Sequence, residues 1–412
     1  MKLLTALFIL LLPLTAHAQG LQGTWQGTLN AGAMKLALVL HIAADKCTLD
    51  SPDQGAKGIE CQTVFLSDDS VNVTVASIAA SYTGKLVGDE LHGTFKQMGY
   101  PLKLNLKRGE IKRNRPQTPQ PPFPYQTEEV TFTNGDITLA GTLTTPSPDN
   151  PSPSLPKGEG ETPPLVVMVS GSGLQNRDEE MFEHRPFAVL ADRLARQGIA
   201  SLRYDDRGFG LSSGDATKAT TPDFAADAAA AITFARERGY KRVGIIGHSE
   251  GGSIAFMLAA QGKPDFIVTL AAPGLRGDSI IVRQNYDIAR LAGQPVSYEQ
   301  CEALLPTIRQ QMAGNPWYMW FLDYDPADDI AATGCPALIL GGEKDMQVNA
   351  ERNLATIRLH LKQSAEIKSY PDLNHLFQHC TTGSPTEYGQ IEETFAEEVM
   401  TDIAEWILQS EK

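Results

Sequence analysis

Residues 244–252 read GIIGHSEGG. The apolar run RVGIIGH before Ser249 has the length of a buried strand, and SIAFMLAA after Gly252 has helical character. Gly247-His248-Ser249-Glu250-Gly251 therefore stands at a strand-to-helix turn with the spacing G-x-S-x-G. Such a turn presses strand and helix backbones together two residues before and two after the serine, where only small side chains fit. It also lifts the hydroxyl above the sheet, with a helix N-terminus behind it to favour negative charge. Ser249 is the candidate nucleophile. An ordinary tight turn would carry the same glycines, so the choice between them rests on partners elsewhere in the chain.

A serine hydroxyl attacks only when a base takes its proton and a third group orients that base. At turns of this kind the order along the chain is Ser, acid, His. PALILGG (336–342) reads as a late strand and runs into Glu343-Lys344-Asp345, which makes Asp345 the candidate acid and Glu343 its reserve. AEIKSYP (365–371) reads as the last strand, and Asp372-Leu373-Asn374-His375 follows it, so His375 is the candidate base. His379 completes an HxxxH pair with His375. The adjacent glutamate of H-E-x-x-H is missing and the segment reads as loop, so no metal is expected. Acyl transfer also needs donors for the oxyanion. The backbone N–H of Glu250 should be one. That of Ser172, in the Ser170-Gly171-Ser172-Gly173 loop after LVVMV (165–169), should be the other. A dinucleotide fingerprint would need a third glycine where Asn176 stands, and no cofactor is expected.

Outward from this centre, strands alternate with helices from Leu165 onward, which predicts an α/β domain, taken as 128–412, with a mostly parallel sheet covered on both faces. IASLRY (199–204) and FIVTLAAP (266–273) are further strands, and Asn134-Gly135 sits in a hairpin. The alternation stops over about 278–330, which reads as a helical cap. Trp317, Tyr318, Trp320 and Phe321 in it could line a substrate pocket or be core, since aromatics at helical spacing serve either purpose. Residues 19–110 are short strand-like runs parted by Gly, Asn and Asp, a β-rich module of meander or small-barrel type. Residues 111–127 include RPQTPQPPFPY and read as a semi-rigid linker. A second proline-rich stretch, 146–164, reads as a surface loop.

The first 18 residues join Lys2, an apolar run and Ala16-His17-Ala18, the pattern of a cleaved secretory signal. The mature chain would begin near Gln19 and be periplasmic or secreted, without membrane insertion. A formal charge of −14 argues against nucleic acid as a partner. Of the five cysteines, Cys47 and Cys61 fall in one small domain and could bridge, or could be two free thiols.

Arg203, Asp205, Asp206 and Arg207 in RYDDRGFGLSSG are expected to form ion pairs bracing the 170–173 loop, with Arg177 and Asp178 able to join them. Taken together, SGSGLQNRDE, RYDDRGFGLSSG, GHSEGG, GGEKDMQV and LNHLFQ resemble the successive blocks of α/β-hydrolases of the serine-aminopeptidase-like (S33-type) group, and most of all its bacterial carboxylesterases. The resemblance covers roughly 125–410. CTLDSPDQGAKGIE is similar to the β-rich domain that precedes the hydrolase in some exported members. Carried over position by position, the resemblance implies a triad of Ser249, Asp345 and His375. Ser170-Gly171 departs from the His-Gly that opens the oxyanion loop in many relatives. The expected activity is hydrolysis of small-molecule carboxylic esters with short acyl groups. An exported peptidase, with Asp323 or Asp325 holding a substrate ammonium, is the alternative, and a non-catalytic binding protein is the third. Oligomeric state is not legible.

Overall fold

The computed structural model of the protein describes residues 20–31, 34–147, 162–363 and 365–410. The leader expected at 1–18 and most of the proline-rich stretch at 146–164 lie outside them. Two compact units meet in sequence between Arg113 and Asn114.

The first unit is a closed antiparallel barrel of eight strands in chain order. They are β1 (Gly23–Ala31), β2 (Met34–Ile42), β3 (Cys47–Ser51), β4 (Ala56–Ser67), β5 (Ser70–Val75), β6 (Ala80–Val87), β7 (Glu90–Gln97) and β8 (Tyr100–Arg108). Trp25 opposite Arg108 and Gln26 opposite Lys107 close the ring, so no edge strand is left. Alternate residues point inward, and Trp25, Val71, Val73, Leu91 and Leu106 fill the interior. Gly84 and Gly93 are register partners. A Cβ on either would strike the ring of Tyr82, whose hydroxyl donates to the Leu91 carbonyl. Cys47 faces Cys61 across β3 and β4, and both are free thiols.

The second unit is an eight-stranded sheet with helices on both faces. Its strands are β9 (Tyr125–Asn134), β10 (Ile137–Pro146), β11 (Leu165–Val169), β12 (Ala200–Tyr204), β13 (Val243–His248), β14 (Ile267–Leu270), β15 (Ala337–Gly342) and β16 (Glu366–Tyr370). They lie in the order β16-β15-β14-β13-β11-β12-β10-β9. β9 and β10 form the antiparallel hairpin and β10 runs antiparallel to β12, while all other neighbours are parallel. The central strands are buried on both faces, as their unbroken apolar runs require.

One apolar layer packs α2 (Thr221–Glu237), α3 (Glu250–Ala260) and α9 (Ala350–His360) on the sheet. The opposite layer holds α1 (Pro186–Arg196) and α10 (Glu397–Gln409). Between β14 and β15 stand five helices: α4 (Gly277–Leu291), α5 (Tyr298–Glu302), α6 (Leu305–Met312), α7 (Pro316–Asp323) and α8 (Ala327–Ala332).

Helix α10 begins at Glu397, and before it the Gln117 side chain accepts the Thr394 and Phe395 N–H groups and ties down that bend. One local expectation is revised: the linker is no free spacer at its start. Arg115 donates to the carbonyls of Phe182, Gly389 and Ile391, so residues 115–117 are part of the second unit's surface.

Candidate active site

Strand β11 lies between β12 and β13, where the chain's crossover direction changes. The carboxyl ends of parallel strands at such a point open a crevice. Val169 pairs with Gly247, so the loop leaving β11 and the turn leaving β13 emerge side by side. That register brings Ser170–Gly173 against Ser249.

Ser249 has φ 52° and ψ −114°, a conformation disfavoured for a side chain by about 1–3 kcal/mol. Its N–H donates to the Leu270 carbonyl, and α3 begins at the next residue. A Cβ on Gly251 would press on the carbonyl oxygens of Val169 and Ser170, and one on Gly247 would press on the backbone at Gly251. The glycines of G-x-S-x-G are therefore demanded by close backbone approach. Among the described residues no side chain hydrogen-bonds Ser249 Oγ, which faces a cavity of about 250 Å³ together with His375.

His375 Nδ1 lies 2.7 Å from Asp345 Oδ2, with both side chains buried. The other oxygen, Oδ1, accepts from the N–H groups of Gln347 and Val348. Those bonds hold Asp345 as an acceptor aimed at the ring. Glu343 points elsewhere, toward the Ser369 hydroxyl, so the structure pairs His375 with Asp345 and not with the reserve. The turn carrying His375 is set by Asn374, whose side chain accepts from Leu376 and Gln378. His379 sits apart on Glu393 and Glu398. Among the described residues no group of three or more His, Cys, Asp or Glu is arranged to hold a metal.

Three buried carboxyls surround the 170–175 loop. Glu179 accepts the Gly171 N–H at 2.6 Å, and Asp206 accepts the Gln175 N–H at 2.7 Å and the Ser170 hydroxyl. Burial pushes Asp206 up to about 7, helped by the negative charge of its carboxyl neighbours. Glu250 accepts from Thr221 and Trp317, and burial pushes its carboxyl up as well. The Gly171 N–H is thereby committed to Glu179.

The ion pairs around RYDDRGFG divide between two tasks. Arg177 holds Asp205 at 2.9 Å, and Arg203 holds Asp178, so these pairs do brace the loop. Burial opposes the Asp205 charge, but the Arg177 guanidinium and the Leu211 and Arg177 N–H groups outweigh it and depress the carboxyl. Arg207 turns away to Asp227 and Asp223 on α2.

His248 was legible only as the neighbour of the serine, and Glu179 only as the last residue of SGSGLQNRDE, with no role attached. In the fold His248 Nε2 donates to the His375 carbonyl at 3.0 Å, and Nδ1 lies 2.8 Å from Glu179 Oε1. Burial disfavours a charge on His248, yet the Glu179 carboxylate and the two hydrogen bonds prevail and raise it. A continuous chain thus runs from the Gly171 N–H through Glu179 and His248 to the backbone of His375. No sequence spacing encodes it.

The cavity's apolar walls come from Met181, Phe182, Leu376, Pro385 and Tyr388, with Gln175 and Gln347 as polar members. The cap aromatics are not in that lining. Trp320 packs on the core and stacks on Tyr324, and Trp317 stacks on Phe321 while bonding Glu250; Tyr318 lies against both Trp317 and Phe321. Buried His184, another histidine read only by position, holds the Tyr388 carbonyl and the Thr394 hydroxyl. Arg115 fixes the Phe182 and Gly389 carbonyls together, and Phe182 meets Tyr388 edge to face.

Residues 183–308 match the family described as serine aminopeptidase, S33. Esterase EstD of Thermotoga maritima is 27% identical over 305 residues, which span 70% of this chain and 70% of that protein. Among solved structures, the Pyrococcus furiosus esterase Pf2001 aligns over 73% of this chain and 99% of its own, with a TM-score of 0.46 and 15% identity. Est1E from Butyrivibrio proteoclasticus, solved with ferulic acid bound, aligns over 68% and 96%, with a TM-score of 0.44 and 17% identity.

Proposed function

We propose that this chain, an α/β-hydrolase of the serine-aminopeptidase-like group, cleaves small carboxylic esters through an acyl-enzyme on Ser249. The observation that carries the reading is the buried His375–Asp345 pair at 2.7 Å, which shares one small cavity with a serine on a strained turn. His375 Nε2 takes the Ser249 proton as Oγ attacks the ester carbonyl, then returns it to the leaving alcohol. Asp345 accepts from Nδ1–H, fixing the tautomer and stabilising the imidazolium. The N–H groups of Glu250 and Ser172 receive the developing oxyanion. Water, activated by His375, then releases the acid and restores Ser249.

Two features favour esters over amino-terminal peptides. The one carboxylate in the cavity lining, Glu179, is committed to His248 and to the Gly171 N–H. Of the cap carboxylates, Asp323 is paired with Arg276 and Arg309, and Asp325 accepts from its own helix start at Ala327. Neither Asp323 nor Asp325 lines the cavity beside Ser249. The esterase relative in Thermotoga points the same way.

The test is a panel of nitrophenyl esters and aminoacyl nitroanilides on wild type and Ser249→Ala, with fluorophosphonate labelling alongside. Short esters should be turned over fastest, and Ser249→Ala should lose about 10⁴-fold or more in kcat and all labelling. Activity surviving in that variant would refute the mechanism, and anilides outpacing esters would replace it with a peptidase.

A further inference from the structure

Glu250 follows the nucleophile, and its backbone N–H is an oxyanion donor in the reading above. Its side chain has no part in that chemistry, yet it is only 5% exposed and it joins three separate pieces of the fold. Oε1 accepts from the Thr221 hydroxyl at 2.6 Å, at the start of α2, and from the Trp317 indole N–H at 2.7 Å, on the cap helix α7. The Ser172 hydroxyl stabilises the same carboxyl from the oxyanion loop. All three groups facing it are neutral, and its charge is felt at Asp206, whose carboxyl it helps to raise. A surface role would not require burial against an indole, a threonine and the catalytic loop at once.

We propose that the Glu250 side chain is a positioning residue that sets the Ser172 end of the oxyanion hole and seats the cap through Trp317, making it a determinant of both turnover and acyl-group selection. The inference rests on the esterase reading. Its first consequence is geometric. Gly171 and Gln175 N–H are tied to Glu179 and Asp206, and holding the Ser172 hydroxyl fixes the residue between those two anchors, which lines the cavity. Its second concerns the cap. Trp317 stacks on Phe321 with centroids 5.5 Å apart and planes 6° from parallel, so one hydrogen bond to the residue after the nucleophile fixes the orientation of an aromatic pair of the cap.

The experiment compares Glu250→Gln and Glu250→Ala on short and longer acyl esters, with the ¹⁵N–¹H signal of the Trp317 indole as a readout independent of activity. Gln keeps an acceptor for both Thr221 and Trp317, and should stay within about threefold of wild type in kcat. Ala should lose about 10- to 100-fold in kcat, less than removal of an oxyanion donor outright. Its preference for short acyl groups should relax, and the indole proton should move upfield. Ala within threefold of wild type, or Gln falling as far as Ala, overturns the proposal. Should Ala not fold, Trp317→Phe takes its place. It keeps the ring and removes the donor, and should raise KM for the preferred ester about fivefold with kcat changed less; no change in KM overturns the cap arm. Wild type inert to every ester overturns the parent reading and this one with it, whereas an active wild type with an unaffected Ala variant overturns this one alone.

Discussion

Replacing His248 by alanine isolates the buried pair that ties the oxyanion loop to the base. The Glu179 side chain would remain 2% exposed with only the Gly171 N–H as partner, and the His375 carbonyl would lose its donor. Removing one partner of a buried, hydrogen-bonded pair typically costs about 3–5 kcal/mol. For a unit of this size, at roughly 2 °C per kcal/mol, the midpoint of thermal unfolding should fall by about 6–10 °C. The sign with pH is also set. His248 is raised in the folded state, so its contribution is complete below the unfolded value near 6.5 and fades as pH climbs through the folded value. The gap between wild type and His248→Ala should therefore be widest at mildly acid pH and narrow on the alkaline side. Calorimetry on wild type, His248→Ala, Glu179→Gln and the double variant measures the coupling. The double variant should be less destabilised than the sum of the singles by about 2 kcal/mol. Additivity within about 0.5 kcal/mol, or a gap that does not change with pH, would show that the two side chains do not act as a pair.

Two further outcomes follow from the same geometry. Gly251→Ala puts a Cβ against the Val169 carbonyl and 2.8 Å from the Ser170 oxygen, so it should cost about 1–3 kcal/mol of stability and slow fluorophosphonate labelling of Ser249. Wild-type labelling kinetics would refute the close-approach account of the turn. Asp206, raised to about 7, lends stability that is complete below its unfolded value near 3.9 and is lost as pH rises through 7. Asp206→Asn keeps an acceptor for Ser170 and Gln175, so its midpoint should match wild type near pH 4 and exceed it at pH 8, and a lower midpoint at pH 8 would contradict the assignment.

The parts of the site readable from sequence were those generated locally. A strand, a tight turn and a helix leave their mark within ten residues, and an acid and a base placed after two apolar runs need no knowledge of the third dimension. The RYDDRGFG loop was legible as a charged brace, because four charges on glycine-rich backbone must find partners. Arg207's turn toward α2 was not legible, since Asp227 is one alanine-flanked carboxylate among many. Glu179, the middle of the acidic run 178–180, reaches His248 because β11 is inserted between β12 and β13. In the barrel, CTLDS and AKGIECQTVFLS lack a clean strand signature, and the closing pair of β1 and β8 joins residues more than eighty apart. The cap aromatics show the limit most plainly. Helical spacing groups them, but only packing tells that Trp320 belongs to core and Trp317 to a buried carboxyl.

The Arg115 clamp separates the order of the gene from the order of the machine. A residue upstream of the prolines holds the carbonyls behind Phe182 and Tyr388, so the catalytic body begins at Asn114, ahead of the run a reader would take for the joint. A recombination event inside the prolines would part the clamp from the carbonyls it holds, whereas one falling before Asn114 would keep clamp and carbonyls together.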